Sequence, residues 1–239
     1  MSFDNVLRDG LRVFGIAEDE AGIARLKRFA ELLDEGNRVM DLTAITEPEQ
    51  VASRHMLDSL FLLTCADLTG TRVLDVGCGA GFPGLPLKCW LPGLDVTMLD
   101  ATAKRIDFVL RTAQTLGIPV TAVAARAEEY IAQRGLRGGF DVVTSRAVAD
   151  LCVLSELCLP YVREGGLFLA MKSDNAETAE EIDGARRAIT VLGGTIEGAR
   201  TYMLPQFPHS RQVLLIRKTA PTPKGYPRRF AKIKAEPIR

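Results

Sequence analysis

The chain has too few cysteines and histidines for a disulfide scaffold or a histidine-based metal centre. Cys65, Cys78, Cys89, Cys152 and Cys158 form an odd set with no C-x-x-C pair, and His55 and His209 are the only histidines. No zinc knuckle is expected, and the thiols read as small buried apolar groups. Excess charge is lacking too, since 30 Lys and Arg balance 30 Asp and Glu. That balance excludes a uniformly basic nucleic-acid coat and an acidic disordered chain. No apolar run approaches the ~20 residues of a membrane span. The opening MSFDNVLRDG lacks the basic-then-apolar order of a secretion signal, so the expected compartment is the cytoplasm. There is no G-x-x-x-x-G-K-[ST] phosphate loop, internal repeat or low-complexity segment.

What remains is an ordinary globular composition, 47% hydrophobic and 25% charged over 239 residues, enough for a sizeable core. The neutral total hides an asymmetry. Residues 1–50 carry 11 acids and 6 bases, whereas residues 217–239 carry 8 bases and a single acid, Glu236. Tyr226 and Phe230 lie between those cations. Such a tail suits a phosphate backbone, or else is simply solvated.

Apolar periodicity predicts helices over 21–36, with Gly36 as C-cap, and over 47–63, with Pro48 in the first turn. Strands are then expected at 72–76, 95–100, 119–124, 140–145 and 166–172, alternating with helices at 84–91, 102–116, 126–134, 150–162 and 176–192. Two strands, roughly 195–204 and 211–217, close the core without an intervening helix. The alternation implies an α/β, Rossmann-like fold. Its sheet is mostly parallel, with one antiparallel strand near the edge. The expected organisation is an N-terminal helical extension (1–69) packed on the core, a main domain (70–218) and a basic tail (219–239).

Gly77, Gly79 and Gly81 follow the first strand, at the sheet edge where open α/β folds bind ligands. Glycines there permit positive φ and close backbone approach. In the dinucleotide fingerprint a third glycine would fall at position 82, which is Phe82, so the loop suits a nucleoside better than a pyrophosphate. Asp100 ends the next strand, where a carboxylate can accept from both ribose hydroxyls. Asp75, inside the first strand, would orient loop amides or a bound amine, or serve a purely structural role. Glu128 either flanks an adenine or is a first-turn helix acid. Arg146, ending the fourth strand, would hold a carboxylate or a phosphate. His55 and Asp58 share a helical face, with His55 either at a substrate entrance or paired with Asp58 on the surface. Lys104 and Arg105 either touch phosphates beside the pocket or are solvated.

Several segments occur together in order. They are NRVMDLTAIT (37–46), RHMLDSL (54–60), VLDVGCGAGFPGLPL (73–87), LDATAKRIDF (99–108), VTSRAVADL (143–151) and FLAMKS (168–173). Over roughly residues 30–218 they make the chain similar to the bacterial small-subunit ribosomal RNA guanine-N7 methyltransferases, also called glucose-inhibited division protein B. The resemblance implies a class I methyltransferase fold using S-adenosylmethionine. It places the cofactor on Gly77, Gly79, Gly81, Phe82, Asp100, Ala101, Thr102, Ala127, Glu128 and Arg146. The implied partner is 16S ribosomal RNA or the small subunit, with neither membrane nor metal. His55, Lys104, Arg105, Lys172, Arg228 and Arg229 are the candidate RNA contacts.

Guanine N7 offers an in-plane lone pair and no proton to remove, so an N7 enzyme needs orientation more than acid–base chemistry. The N-P-P-Y motif of amine methyltransferases is absent. Two alternatives stand beside this reading: a nicotinamide (NAD)-dependent oxidoreductase, opposed by Phe82, and a catalytically inactive ribosome-assembly factor, opposed by the intact loop and Asp100.

Overall fold

The computed structural model describes residues 2–146 and 149–239. Ser2 caps helix α1 (Phe3–Phe14) by accepting from the Asn5 amide, and Gly15 ends it at φ 68°. Asp19 caps α2 (Glu20–Asn37) through the amides of Ala21 and Gly22. This helix runs past Gly36, which was expected to end it. A Cβ there would meet the Phe108 ring at 2.6 Å, so Gly36 permits close packing rather than a turn.

The helix expected over 47–63 is not uniform. Its segments are α3 (Pro48–Val51), a π-helical stretch (Ala52–Leu57), α4 (Asp58–Leu60) and α5 (Leu62–Cys65). The wide turn runs into RHMLDSL and covers its first four residues, and π-turns are frequent at functional sites.

The remaining elements alternate as the sequence pattern requires. In order they are β1 (Arg72–Val76), α6 (Gly84–Trp90), β2 (Asp95–Asp100), α7 (Ala103–Leu116), β3 (Thr121–Ala124), α8 (Ala127–Tyr130), β4 (Phe140–Arg146) and α9 (Leu151–Cys158). A short 3₁₀ turn leads into β5 (Val162–Ser173), followed by α10 (Ala176–Val191), β6 (Gly194–Tyr202), β7 (Arg211–Lys218) and α11 (Phe230–Ala235). Several expected boundaries move. The helix after β3 stops at Tyr130 instead of 134, and the helix after β4 ends at Cys158. Strand β5 starts at Val162 because that residue already pairs with Phe140.

The strand order is β3-β2-β1-β4-β5-β7-β6. Strands β1 to β5 are parallel, and β7 runs antiparallel between β5 and the edge strand β6. Side chains alternate across the sheet. Val73, Val96, Met98, Val142, Leu169 and Val213 pack beneath α1, α2, α6, α7 and the π-turn. Leu74, Val76, Leu99, Val143, Phe168 and Leu214 pack beneath α8, α9, α10 and α11. The N-terminal helices thus share one core with the sheet. The tail is not a solvated strand of charge, since Ile233 is fully buried in the opposite core. Chain order reverses between β1 and β4, which opens a crevice at their C-terminal ends.

Candidate functional site

Two structures meet at that crevice. The first is the glycine loop. The amides of Gly77 and Cys78 donate to the Leu99 carbonyl at 2.7 and 3.1 Å, tying the loop to the end of β2. Asp100 completes the tie, accepting from the Gly79 amide at 3.0 Å and the Thr102 amide at 2.8 Å. Each carboxylate oxygen keeps a free lone pair for a further donor. Gly79 has φ 56°, and a Cβ built on it would meet nothing within 4 Å, so the backbone faces open space. Ala101, Thr102 and Lys104 are exposed beside it, and Arg105 Nη1 lies 3.7 Å from Asp100 Oδ2.

Asp75 is completely buried under the loop. Its Oδ2 accepts from the Gly84 amide at 2.9 Å, and its Oδ1 has no partner. Burial pushes its carboxyl up to about 7, against the pull of that amide. Across the loop, Ala127 is buried and its carbonyl accepts from the Tyr161 hydroxyl, while Glu128 is half-buried.

The second structure is a buried charge cluster around Asp58, which is 1% exposed. Its Oδ1 accepts from the Tyr202 hydroxyl at 2.7 Å and from Arg211 Nε at 3.1 Å. Its Oδ2 accepts from Arg146 Nη1 at 3.0 Å and from Arg211 Nη2 at 3.2 Å. Arg146 also donates to the Arg54 carbonyl and lies 4.9 Å from the centre of the Phe82 ring.

His55 is packed into this cluster, which overturns the reading that paired it with Asp58 on the surface. Its ring stacks on Phe82 at 4.5 Å, its Nδ1 lies 3.3 Å from Arg146 Nη2, and its Nε2 lies 2.9 Å from Thr43 Oγ1. The ordinary imidazole pKa falls to about 3, chiefly through burial and then through the Arg146 charge, so the ring is neutral. With Nδ1 accepting from Arg146, Nε2 carries the proton and donates to Thr43. Asn37 holds that threonine in place through the amides of Leu42 and Thr43 and the Thr43 carbonyl. The segments NRVMDLT and RHMLDSL are therefore two ends of one hydrogen-bonded chain reaching Arg146.

Arg54, His55, Asp58, Arg146 and Arg211, with Ile45, Leu204 and Phe207, line a cavity of about 190 Å³. A larger hollow of about 610 Å³ lies away from the loop, among α1, α2 and the segment before α3. Its rim cations Lys27, Arg28 and Arg38 are paired with Asp4, Glu31 and Asp34.

Two other expected RNA contacts are engaged internally. Lys172 donates to the Ala149 carbonyl and to Glu181, and Arg228 forks onto buried Glu156 at 2.7 to 3.2 Å. Arg229 is exposed. The Phe82 ring packs between Phe29, His55 and Arg146, against the N-terminal helices. Ala147 and Val148 of the VTSRAVADL segment lie outside the described residues. The sequence did not reveal the roles of Asp58, Arg211, Tyr202, Arg54 or Thr43. RHMLDSL held part of the signal, but nothing local to Arg211 or Tyr202 marked them.

A family model described as rRNA small subunit methyltransferase G matches residues 22–206. A ribosomal RNA small subunit methyltransferase G from Bacillus subtilis (strain 168) is 39% identical over 231 residues, covering 96% of each chain. Its counterpart from Lachnoclostridium phytofermentans is 42% identical over 221 residues, 92% of this chain and 90% of that one. Among solved structures, a putative O-methyltransferase from Klebsiella pneumoniae aligns with a TM-score of 0.60 at 20% identity, over 91% of this chain and 96% of that one. A ribosomal protein L11 methylase from Lactobacillus delbrueckii subsp. bulgaricus aligns at 0.53 and 15% identity, over 70% and 79%. At these identities the structural likenesses show the fold alone, that of class I methyltransferases. The nicotinamide and inactive-factor alternatives find no support among these relatives. S-adenosylmethionine is the cofactor of this class, and the residues present fit it. The bare Gly79 backbone and the spare lone pairs of Asp100 offer the open space and the acceptors that a ribose requires.

Proposed function

Because the chain belongs to the rRNA small subunit methyltransferase G family, we propose that it methylates N7 of one guanine in 16S ribosomal RNA, in the cytoplasm. S-adenosylmethionine supplies a sulfonium-bound methyl group, already activated for attack by a lone pair. The chain's own residues orient the partners. Asp100 takes the ribose hydroxyls while its amide bonds hold the Gly77–Gly81 loop in shape. Ala101, Thr102, Ala127 and Glu128 border the nucleoside, and Arg146 sets the reacting end at the β4 edge. Lys104 and Arg105, exposed beside the loop, meet RNA phosphates. The membrane has no part in this reading, and no helix among the described residues is long and apolar enough to cross one. Metal has none either, and the described residues contain no cluster of three ligating side chains.

The observation that favours N7 over an amine or hydroxyl target is that the buried titratable groups around Arg146, namely His55, Asp58 and Asp75, are each engaged or enclosed. Both nitrogens of His55 are engaged and the ring stays neutral down to about pH 3. Both oxygens of Asp58 are taken by Arg146, Arg211 and Tyr202. Asp75 is sealed beneath the loop. A reaction that releases no proton is the one this edge serves.

The test is single-turnover transfer with cofactor and RNA saturating, read with aniline cleavage at the reduced 7-methylguanine. The rate should be nearly constant between about pH 6 and 9, where unperturbed Asp, Glu and Lys keep their charge. Arg146→Ala should slow transfer by about a hundredfold, the cost of ~1 Å of misplacement. A steep pH profile, or cleavage at no guanine, would replace N7 with an amine or hydroxyl target.

A further inference from the structure

Lys218 leaves β7 at the sheet edge opposite the glycine loop, because β7 runs antiparallel to β5. The chain beyond it climbs the face covered by α8, α9 and α10. The Tyr226 carbonyl accepts from Arg137 in the loop before β4. Arg228 then forks onto Glu156 of α9, which is fully buried and also accepts the Arg228 amide at 2.7 Å. Phe230 lies under the Arg126 guanidinium, 5.3 Å from ring centre, next to the start of α8 at the cofactor edge. Ile233 is sunk in the core. At the end, the Arg239 carbonyl accepts from Arg187, and the Arg239 charge lies beside Cys152 in the first turn of α9, opposing the burial that raises that thiol.

Segment 219–239 is thus a docked strap running from the far edge to the cofactor edge. Its anchors and its free charges are different residues. Arg228 and Ile233 hold it down, whereas Lys224, Arg229, Lys232 and Lys234 are exposed and form no ion pair with a described residue. The neighbouring loop adds exposed Arg134 and no acid between residues 131 and 139.

We infer that this strap is a second RNA-docking surface, binding backbone phosphates of the ribosomal RNA outside the nucleotide that enters the catalytic edge. The inference rests on the ribosomal-RNA reading above. Charge complementarity selects the occupant. Fixed, unpaired cations spaced along a surface neutralise successive phosphates, and each contact carries no base information. Docking also gives the cations a set position next to the site, so RNA held by the strap is presented to the β4 edge.

Deleting the strap would leave Glu156 buried without its partner, so the test changes only exposed cations. Binding of full-length R229Q/K232Q/K234Q to deproteinised 16S ribosomal RNA is measured across salt concentrations beside the unaltered protein. A second variant, R12Q/K27Q/R28Q, removes equal charge from α1 and α2. The strap variant should lose about two to three units of log K against log salt slope. Its affinity near 0.15 M salt should fall on the order of tenfold to a hundredfold. The α1/α2 variant should keep the original slope. Equal losses in both variants would mean net charge alone is read, and an unchanged slope in the strap variant would return the tail to a structural role. Either result overturns the inference while methylation of the RNA by the unaltered protein keeps the functional reading intact. Failure of the unaltered protein to bind or methylate the RNA overturns both.

Discussion

Two buried carboxylates organise the two halves of the crevice, and they do so by different means. Asp100 binds backbone amides close to it in the chain, at Thr102 two residues away and Gly79 twenty-one away. Asp58 binds side chains from remote strands, at Arg146, Tyr202 and Arg211, which are 88, 144 and 153 residues away. The first arrangement is a local turn that leaves lone pairs free for a ligand. The second joins the N-terminal helices to β4, β6 and β7 and uses the carboxylate up completely. One half of the crevice is thus receptive and the other rigid.

The largest break in that contrast should come from Asp58→Ala, which leaves the partly buried Arg146 and Arg211 without a counter-ion. Losing one partner of such a cluster costs about 3–5 kcal/mol. Urea unfolding would measure it, and a loss under about 1 kcal/mol would mean the arginines find water instead. Asp100→Ala should act mainly on the ligand, lowering cofactor affinity by about 1.5–3 kcal/mol in calorimetry, with a smaller loss of stability than at Asp58. Unchanged binding would remove Asp100 from the cofactor site.

Titration should sharpen the comparison, because the two halves respond to pH in opposite directions. Asp75, under the loop, has its carboxyl raised by burial from 3.8 to about 7. Its contribution to stability is therefore present below about pH 4 and lost as pH rises through about 7. His55, in the cluster, is lowered by burial from 6.5 to about 3. Its contribution is present above about pH 6.5 and lost as pH falls toward 3. Relative to D75N, the unaltered protein should lose stability as pH rises between about 4 and 7. Relative to H55Q it should lose stability as pH falls below about 6.5. Differences on the order of 1 kcal/mol or more are expected from shifts of this direction and cause. Slopes of the same sign in the two difference curves would contradict the buried placements.

The smallest effect is expected at Arg105. Its guanidinium is 3.7 Å from Asp100 and its side chain 45% exposed, so Arg105→Ala should change cofactor affinity by less than about 1 kcal/mol. A larger loss would make Arg105 a clamp on the ligand and the local half less self-sufficient than its amide bonds suggest.

The receptive half was legible because its signals are short-range. Glycines after an apolar strand, followed by an acid ending the next strand, are a spacing that the chain carries in 73–100. The Gly77, Gly79 and Gly81 φ values of 74°, 56° and 99° show why those residues are needed. The rigid half was legible only as separate pieces. His55 and Asp58 were placed on one helical face, and both do turn toward Arg146, but through a π-turn whose wide pitch no apolar period announces. Lys172 and Arg228 stand among the candidate RNA contacts because a sequence does not show the acid that will neutralise each one. Glu181 lies 9 residues from the first and Glu156 72 residues from the second.

By itself, then, the sequence determined the alternation of strands and helices, the order of loop and acid, and the surplus of positive charge after residue 217. Those follow from side-chain period, backbone freedom and composition, which are properties of neighbouring residues. Tertiary structure alone decided which charges are spent and which remain available. Whether an arginine meets a buried carboxylate or water depends on which distant strand or helix packs beside it. That is why Arg228 became an anchor while Arg229, one residue on, stayed exposed.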